Sequence, residues 1–377
     1  MDKVLSSNSS QLEDLLQRVG MKLQISKTQR ELAESRYKSV GEWLSKDDTL
    51  FNGVDIDIYS QGSLRIGTTV KPLTKQEYDL DLVCEINQNW QGKDPLKLLD
   101  SIERRLKENK IYEGMVERKN RCIRLNYANE FHLDILPAHP LNQSTDTNLK
   151  VPDRKAEDWK DSNPKGYADW FINRSNQYKI LFEKSASIEP LPSDERVEKK
   201  APLKRAVQLI KRYRDVYFKD NCENAPISIV LTTLAGDVYS GQLTVNESIT
   251  HILDNIIAHI PKDGERLVVL NPANRREDLS EKWDQDQKLY LSFINFMLDF
   301  KEHWAKLNKL QGIHEIAVEL KNMFGENIIN DALKEQAEFM EKVRKSNNLS
   351  ILGSGLLVAA SKEENRVSVK PNTFYGE

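Results

Sequence analysis

The chain has 377 residues, room for about two domains or one enzyme built from two lobes. Hydrophobic residues make up 39% and charged residues 30%, enough apolar material for a core and too much for wholesale disorder. With 55 Lys and Arg against 58 Asp and Glu, the net charge of -3 excludes a globally basic nucleic-acid binder and leaves only a local basic groove open.

Cys84, Cys122 and Cys222 are too scattered for a disulfide framework or a CxxC zinc pattern. The longest apolar run, 351–360, is about half of the roughly 20 residues of a membrane span, and the opening MDKVLSSNSSQLEDLLQ lacks an apolar signal segment. A cytoplasmic protein without membrane contact is expected.

Residues 1–10 are Ser-rich and read as frayed. From 11 to 44, apolar residues recur at three- and four-residue spacing, which predicts helix, with a restart at Ser26 capped by its own hydroxyl and by Gln29 three residues on. Val54, Ile56 and Ile58 then alternate with polar residues, the period of a half-buried strand. A Gly/Ser/Thr turn region follows, then a strand over 78–86 (YDLDLVCEI), a helix over 95–109, and two strands, 122–127 (CIRLNY) and 131–136 (FHLDIL), joined as a hairpin at Asn129–Glu130. The stretch 137–164 reads as polar and turn-rich, and 185–200 as a second loose segment. Pro202 opens a strong amphipathic helix over 202–218. Beyond 227 the chain reads as largely helical, apart from a strand-like LVVLNPANR at 267–275 and a flexible tail at 361–377. The fold class is α+β, divided as residues 1–200 (N-terminal helix and mixed lobe), 201–360 (helical lobe) and the tail.

Three stretches carry chemistry. In YDLDLV, strand alternation turns Asp79 and Asp81 to one face and Leu80 and Leu82 to the core. Two carboxylates so close repel unless a cation sits between them, and hard divalent ions favour such oxygen ligands. In FHLDILP, Asp134 likewise faces away from the apolar side and offers a third carboxylate. A two-metal centre of this kind activates an attacking hydroxyl and stabilises the leaving oxygen of an in-line displacement. Ahead of both stands Gln61–Gly62–Ser63, whose backbone N–H groups and hydroxyl suit phosphate oxygens. Taken singly, each also fits a solvated strand face or a plain turn. His132 and His139 lie close by but lack further zinc-ligand spacing, and packing or a hydrogen bond accounts for them.

A Gly-Ser turn, then acidic-x-acidic, then a later carboxylate resembles the DNA polymerase β-like nucleotidyltransferase signature, with 15 residues between Ser63 and Asp79 marking an elongated connection. The wider context, YSQGSLRIGTTVKPL, KRAVQLIKRYRD, APISIVLTTLAG and LNPANRREDLSEKW over roughly residues 20–360, resembles the bacterial cGAS/DncV-like nucleotidyltransferases (CD-NTases). The resemblance implies a polymerase β-like lobe joined to a helical lobe across an active-site cleft. It also implies condensation of NTPs, ATP among them, into a cyclic di- or oligonucleotide with release of pyrophosphate, in antiphage (CBASS) signalling. Two Mg²⁺ ions, or Mn²⁺ in their place, would be held by Asp79, Asp81 and Asp134.

Seven of the sixteen residues 199–214 are basic, and a triphosphate needs cations beyond the metals. By the resemblance, Lys211 and Ser228 bind the donor triphosphate with Gln61, Gly62 and Ser63. Ile229 stands where related eukaryotic proteins carry a base-stacking aromatic, so the base platform lies elsewhere.

Asn271–Pro272 and Asn274 are either cleft residues or a plain turn and cap. Trp170–Phe171 is read as core, and Gly353–Ser354–Gly355 as a hinge. The terminal FYGE fits either a conjugated or a merely loose end, so regulatory or conjugating proteins are the expected partners besides NTPs, and no long nucleic acid is. A nucleotidyltransferase making linear oligoadenylate, or modifying RNA, protein or a small molecule, is the alternative, with a non-catalytic nucleotide-binding regulator as the third reading.

Overall fold

A computed structural model of the chain describes residues 7–46, 53–73, 78–128, 131–142, 147–178, 200–310, 312–345, 349–352, 357–359 and 366–368. Two helices open it, α1 (Ser7–Lys22) and α2 (Lys27–Ser45). The break between them is the expected capping box. Ser26 Oγ accepts from the Gln29 backbone N–H at 3.1 Å, and Gln29 Oε1 accepts from the Ser26 N–H at 2.8 Å, so two otherwise orphaned donors at the start of α2 are satisfied.

The mixed sheet runs β1–β2–β5–β4–β3, built from β1 (Ile56–Gln61), β2 (Tyr78–Ile86), β3 (Val116–Arg118), β4 (Ile123–Tyr127) and β5 (Phe131–Pro140). Only β2 and β5 run parallel; the other neighbours are antiparallel. The crossover that a parallel pair demands carries α4 (Pro95–Lys107), which starts at the Asp94 cap and buries Leu98, Leu99, Ile102 and Leu106 against the sheet. Leu80, Leu82, Leu125, Leu133 and Ile135 fill the same core with Ala33, Val40 and Leu44 of α2.

The stretch expected to be turn-rich after Pro137 instead continues the sheet. β5 runs on to Pro140 and pairs with β6 (Leu149–Asp153), which pairs with β7 (Asp158–Ser162). Leu149 and Val151 pack against Val83 and Ala138, and Trp159 is the one buried apolar residue of β7, so these short strands leave little hydrophobic pattern to read.

The second core is helical. It gathers α5 (Pro164–Ser175), α6 (Pro202–Tyr217), α7 (Ser228–Val238), α8 (Val245–His259), α9 (Lys282–Gln285), α10 (Gln287–Leu307), α11 (Ile313–Phe324) and α12 (Glu326–Lys345) around Phe293, Phe296, Phe300, Trp304 and Phe324. It also claims Leu12, Leu15, Leu16, Val19 and Leu23 of α1 and Tyr167, Ala168 and Phe171 of α5. Each fully buried aliphatic side chain contributes about 1.5–3 kcal/mol, so α1 is a structural member of this lobe. The apolar cores therefore do not divide at residue 200. Trp170 packs against this core beside the fully buried Phe171, as their core reading anticipates.

The strand-like segment at 267–275 resolves into a hairpin of β8 (Leu270–Asn271) and β9 (Asn274–Asp278). Of the tail expected to be loose, Arg366–Ser368 (β12) pairs with β10 (Leu349–Leu352), whose other neighbour is β11 (Leu357–Ala359). Residues 1–6, Asn129–Glu130, 185–199, Gly353–Ser354–Gly355 and the terminal FYGE lie outside the described residues. No helix among the described residues is long and apolar enough to cross a membrane.

Candidate active site

Strand register assembles the acidic face. Along β2 the side chains alternate, Leu80 and Leu82 buried, Asp79 and Asp81 turned to the opposite face. The parallel neighbour β5 sets Asp134 beside Asp81 and His132 beside Asp79. All three carboxylates line one cleft of about 520 Å³ between the sheet and the helical lobe.

Burial pushes the Asp81 carboxyl up to about 7, and the neighbouring carboxylates of Asp134 and Asp79 push in the same direction. Its charged form is the disfavoured one. The folded protein therefore holds this proton over a range, from about pH 4 to about pH 7, in which the unfolded chain has released it. Stability contributed by this group is complete at low pH and is lost as pH rises through about 7. Asp81→Asn removes the loss. In the presence of a chelator, its melting temperature is expected to exceed wild type by a few degrees at pH 8, with the gain shrinking toward pH 5. Equal melting temperatures at pH 8 would show that the charge carries no such cost.

Beside Asp81 the chain turns. Gln61, the last residue of β1, lies opposite Asp81, and the next residues form the short helix α3 (Gly62–Ile66) rather than a bare turn. Gly62 has φ +63°, and a Cβ there would lie 2.1 Å from Asp81 Oδ2, so only glycine lets this backbone lie against the carboxylate. Ser63 Oγ sits 3.3 Å from Thr69 Oγ1, and the Thr68 N–H donates to the Ser63 carbonyl at 2.9 Å, tying the helix to the loop behind it. Gln61, Gly62 and Ser63 all line the cleft.

The facing wall is basic. Lys211 of α6 is 8% exposed, and its Nζ donates to the Thr68 carbonyl at 3.3 Å and to Thr68 Oγ1 at 3.2 Å. Burial, then the nearby Arg214 guanidinium, lowers its pKa to about 8. Arg214 donates to Ser228 Oγ at the start of α7, and Lys211, Arg214, Ser228 and Ile229 all line the cleft.

Three more members of the basic cluster are engaged elsewhere. Arg205 donates to the Gly20 carbonyl of α1 at 2.6 Å, Arg212 to the Phe324 carbonyl at 2.8 Å, and Lys200 to the Gly67 carbonyl at 2.9 Å. Lys199 lies outside the described residues.

The structure adds groups that the motifs did not flag. Ser162, Asn163 and Glu277 line the cleft beside Asn271, with Glu277 accepting from Asn271 Nδ2 at 2.7 Å. Asn271 is thus a cleft residue. Arg124 of β4, directly across from Asp134 in the antiparallel register, donates from Nε and Nη2 to the two Asp134 oxygens, each at 2.7 Å, and from Nη2 to Asp79 Oδ1 at 3.1 Å. The signal was present, because a hairpin centred between 127 and 131 pairs 124 with 134. His139 Nδ1 bonds the Ile86 carbonyl at 2.9 Å and its ring packs on Trp159, which fits the hydrogen-bond reading rather than zinc.

The donor set fits a hard divalent cation: three carboxylates on neighbouring strands, with glycine backbone where any larger residue would intrude on Asp81. Among the described residues no three His, Cys, Asp or Glu side chains already converge at ligand distance, and a guanidinium rests on two of the trio.

Known proteins similar to this chain point to one family. The family described as "Second Messenger Oligonucleotide or Dinucleotide Synthetase domain" matches residues 7–176. A relative from Roseivirga ehrenbergii called c-di-GMP synthase is 38% identical over 99% of this chain and 100% of its own length. The structure of the Bradyrhizobium diazoefficiens CD-NTase CdnG in complex with GTP is 23% identical, covers 87% of this chain and 99% of that one, and superposes with a TM-score of 0.71. Vibrio cholerae DncV, a cyclic AMP-GMP synthase described as a prokaryotic cGAS homolog, is 15% identical over 85% of this chain and 88% of its own, with a TM-score of 0.54.

Proposed function

Since the chain belongs to the cGAS/DncV-like nucleotidyltransferases, the CD-NTases with a polymerase β-like fold, we propose that it is the synthase of a cyclic dinucleotide, cyclic di-GMP, made from two molecules of GTP. The single observation behind the chemistry is the register that sets Asp134 beside Asp81, with Asp79 on the same face and Gly62–Ser63 at its edge. The guanine assignment rests on the name of the 38% identical relative.

Two phosphodiester bonds form in turn. A ribose hydroxyl of one GTP attacks the α-phosphorus of the other, pyrophosphate leaves, and the linear intermediate turns in the cleft. Its remaining hydroxyl then attacks the remaining triphosphate and expels a second pyrophosphate, closing the ring. Mg²⁺ or Mn²⁺, when bound, lowers the pKa of the attacking hydroxyl and neutralises charge on the leaving pyrophosphate. Asp79 and Asp81 would hold the ions. Asp134 would be a further ligand and would assist deprotonation of the attacking hydroxyl.

Ser63, Lys211 and Ser228 grip the triphosphate, with Gln61 and Gly62 completing the cradle. Lys211 is pre-aimed by its bonds to Thr68, and an arriving triphosphate favours its charged form. A signalling role in antiphage CBASS defence follows the family resemblance, and a regulatory or conjugating protein would be the partner of such a role.

Purified protein with each NTP singly and in pairs, with Mg²⁺ or Mn²⁺, decides the matter by mass spectrometry after phosphatase treatment. GTP alone is expected to give a resistant cyclic dinucleotide with two pyrophosphates per product. A product formed only from ATP overturns the guanine assignment. A linear product sensitive to phosphatase or exonuclease favours the oligoadenylate-type reading. Binding without pyrophosphate release favours a regulator.

A further inference from the structure

Arg124 occupies a position that the chemistry of the cleft does not by itself require. Its guanidinium meets Asp134 fork on fork, both contacts at 2.7 Å, and the shared Nη2 reaches Asp79 Oδ1 at 3.1 Å. The pairing is built into the backbone, since Arg124 and Asp134 are direct cross-strand partners. Both side chains are largely withdrawn from water, Arg124 19% and Asp134 16% exposed, so solvent screens the pair little. The carboxylates in turn raise the pKa of Arg124, first through the hydrogen bonds to Asp134.

A fork-on-fork pair engages both oxygens of the carboxylate at once, the same oxygens a divalent cation needs. Guanidinium and metal therefore compete for Asp134.

We infer that Arg124 is the resident counter-ion of the carboxylate trio, and that a divalent cation loads by taking Asp134 from it. Arg124 is thus a positioning residue. It holds Asp79 and Asp134 in place while three like charges share one cleft, and it weakens metal binding by the strength of the pair it must give up. The metal requirement of the enzyme is set partly by this one side chain. The inference rests on the reading of Asp134 as a metal ligand.

Mn²⁺ titration of the full chain without nucleotide, read from the electron paramagnetic resonance signal of free Mn²⁺, tests it. Arg124→Met, which keeps an unbranched stem and removes charge, is expected to bind Mn²⁺ about five-fold more tightly than wild type, and Arg124→Lys, which loses the fork, is expected to fall between. In chelator, Arg124→Met melts below wild type, and Mn²⁺ raises its melting temperature by more than it raises that of wild type. Unchanged or weaker Mn²⁺ binding in a folded Arg124→Met overturns the competition, as does Arg124→Lys binding no better than wild type if Arg124→Met fails to fold. Asp134→Asn separates the two ideas. If it keeps full Mn²⁺ binding, the metal assignment fails; if it loses binding while the Arg124 variants gain none, only the counter-ion role fails.

Discussion

Replacing Asp79 and Asp81 together with asparagine is expected to abolish nucleotide condensation, with pyrophosphate release falling by at least about 10²–10³-fold. The expectation is large because both carboxylates sit on one strand face of one cleft, while the next carboxylate on that face, Glu85, is tied to Tyr59 and Lys165 outside it. Leu80, Leu82 and Cys84 point the other way into the core. Asparagine keeps the shape of each side chain, so the sheet has no reason to come apart. Relief of the repulsion between neighbouring carboxylates works in favour of the fold. Circular dichroism and a melting temperature at or above wild type, alongside lost pyrophosphate release, are the expected pair of results. Turnover near wild type in the folded double variant would remove these residues from the chemistry.

Gly62→Ala is expected to cut activity by roughly 10²-fold through a different route, with every charged group left in place. The new Cβ would fall 2.1 Å from Asp81 Oδ2, and the aspartate is too short to swing aside without leaving the face it shares with Asp134. The backbone also carries φ +63°, which costs about 1 kcal/mol with any side chain. Gly92→Ala separates the two effects. Gly92 has φ +73° with nothing within 4 Å of its would-be Cβ, so that variant bears the backbone cost alone and keeps its activity. Equal rates for the two variants in steady-state assays would mean that the Asp81 contact is unimportant.

The parts of the site most legible in the sequence were those in which local pattern and chemistry coincide. The alternation in YDLDLVCEI marks β2 at its observed ends, and the same alternation in FHLDIL places Asp134 on the polar face. Ser26 with Gln29 announces the break between α1 and α2 because a capping box is a local, four-residue device. What escaped is non-local or weakly patterned. Arg124 looks like any polar residue on a half-buried strand until the hairpin register is drawn, and only then does it fall across from Asp134. β6 and β7 bury so few apolar side chains that composition reads them as turn. Glu277 reaches the cleft from a hairpin more than 130 residues after Asp134, beside Asn271, whose sequence fitted a plain turn equally well; tertiary packing alone creates the convergence.

The placement of α1 has a consequence for how the molecule comes into being. Asp14 accepts from Gln336 across 322 positions of chain, Lys22 pairs with Glu335 at 2.6 Å, and Glu13 takes the first N–H groups of α8 at Val245 and Asn246. A ribosome makes α1 well before α12, so α1 waits for these neighbours through the synthesis of everything between them. The residues of the acidic wall are all synthesised by then, but the basic wall that faces them stands on a core that cannot close before α12 emerges. A chain that stops before α12 leaves the helical core behind Lys211 without Ile328, Ile329 and Ala332.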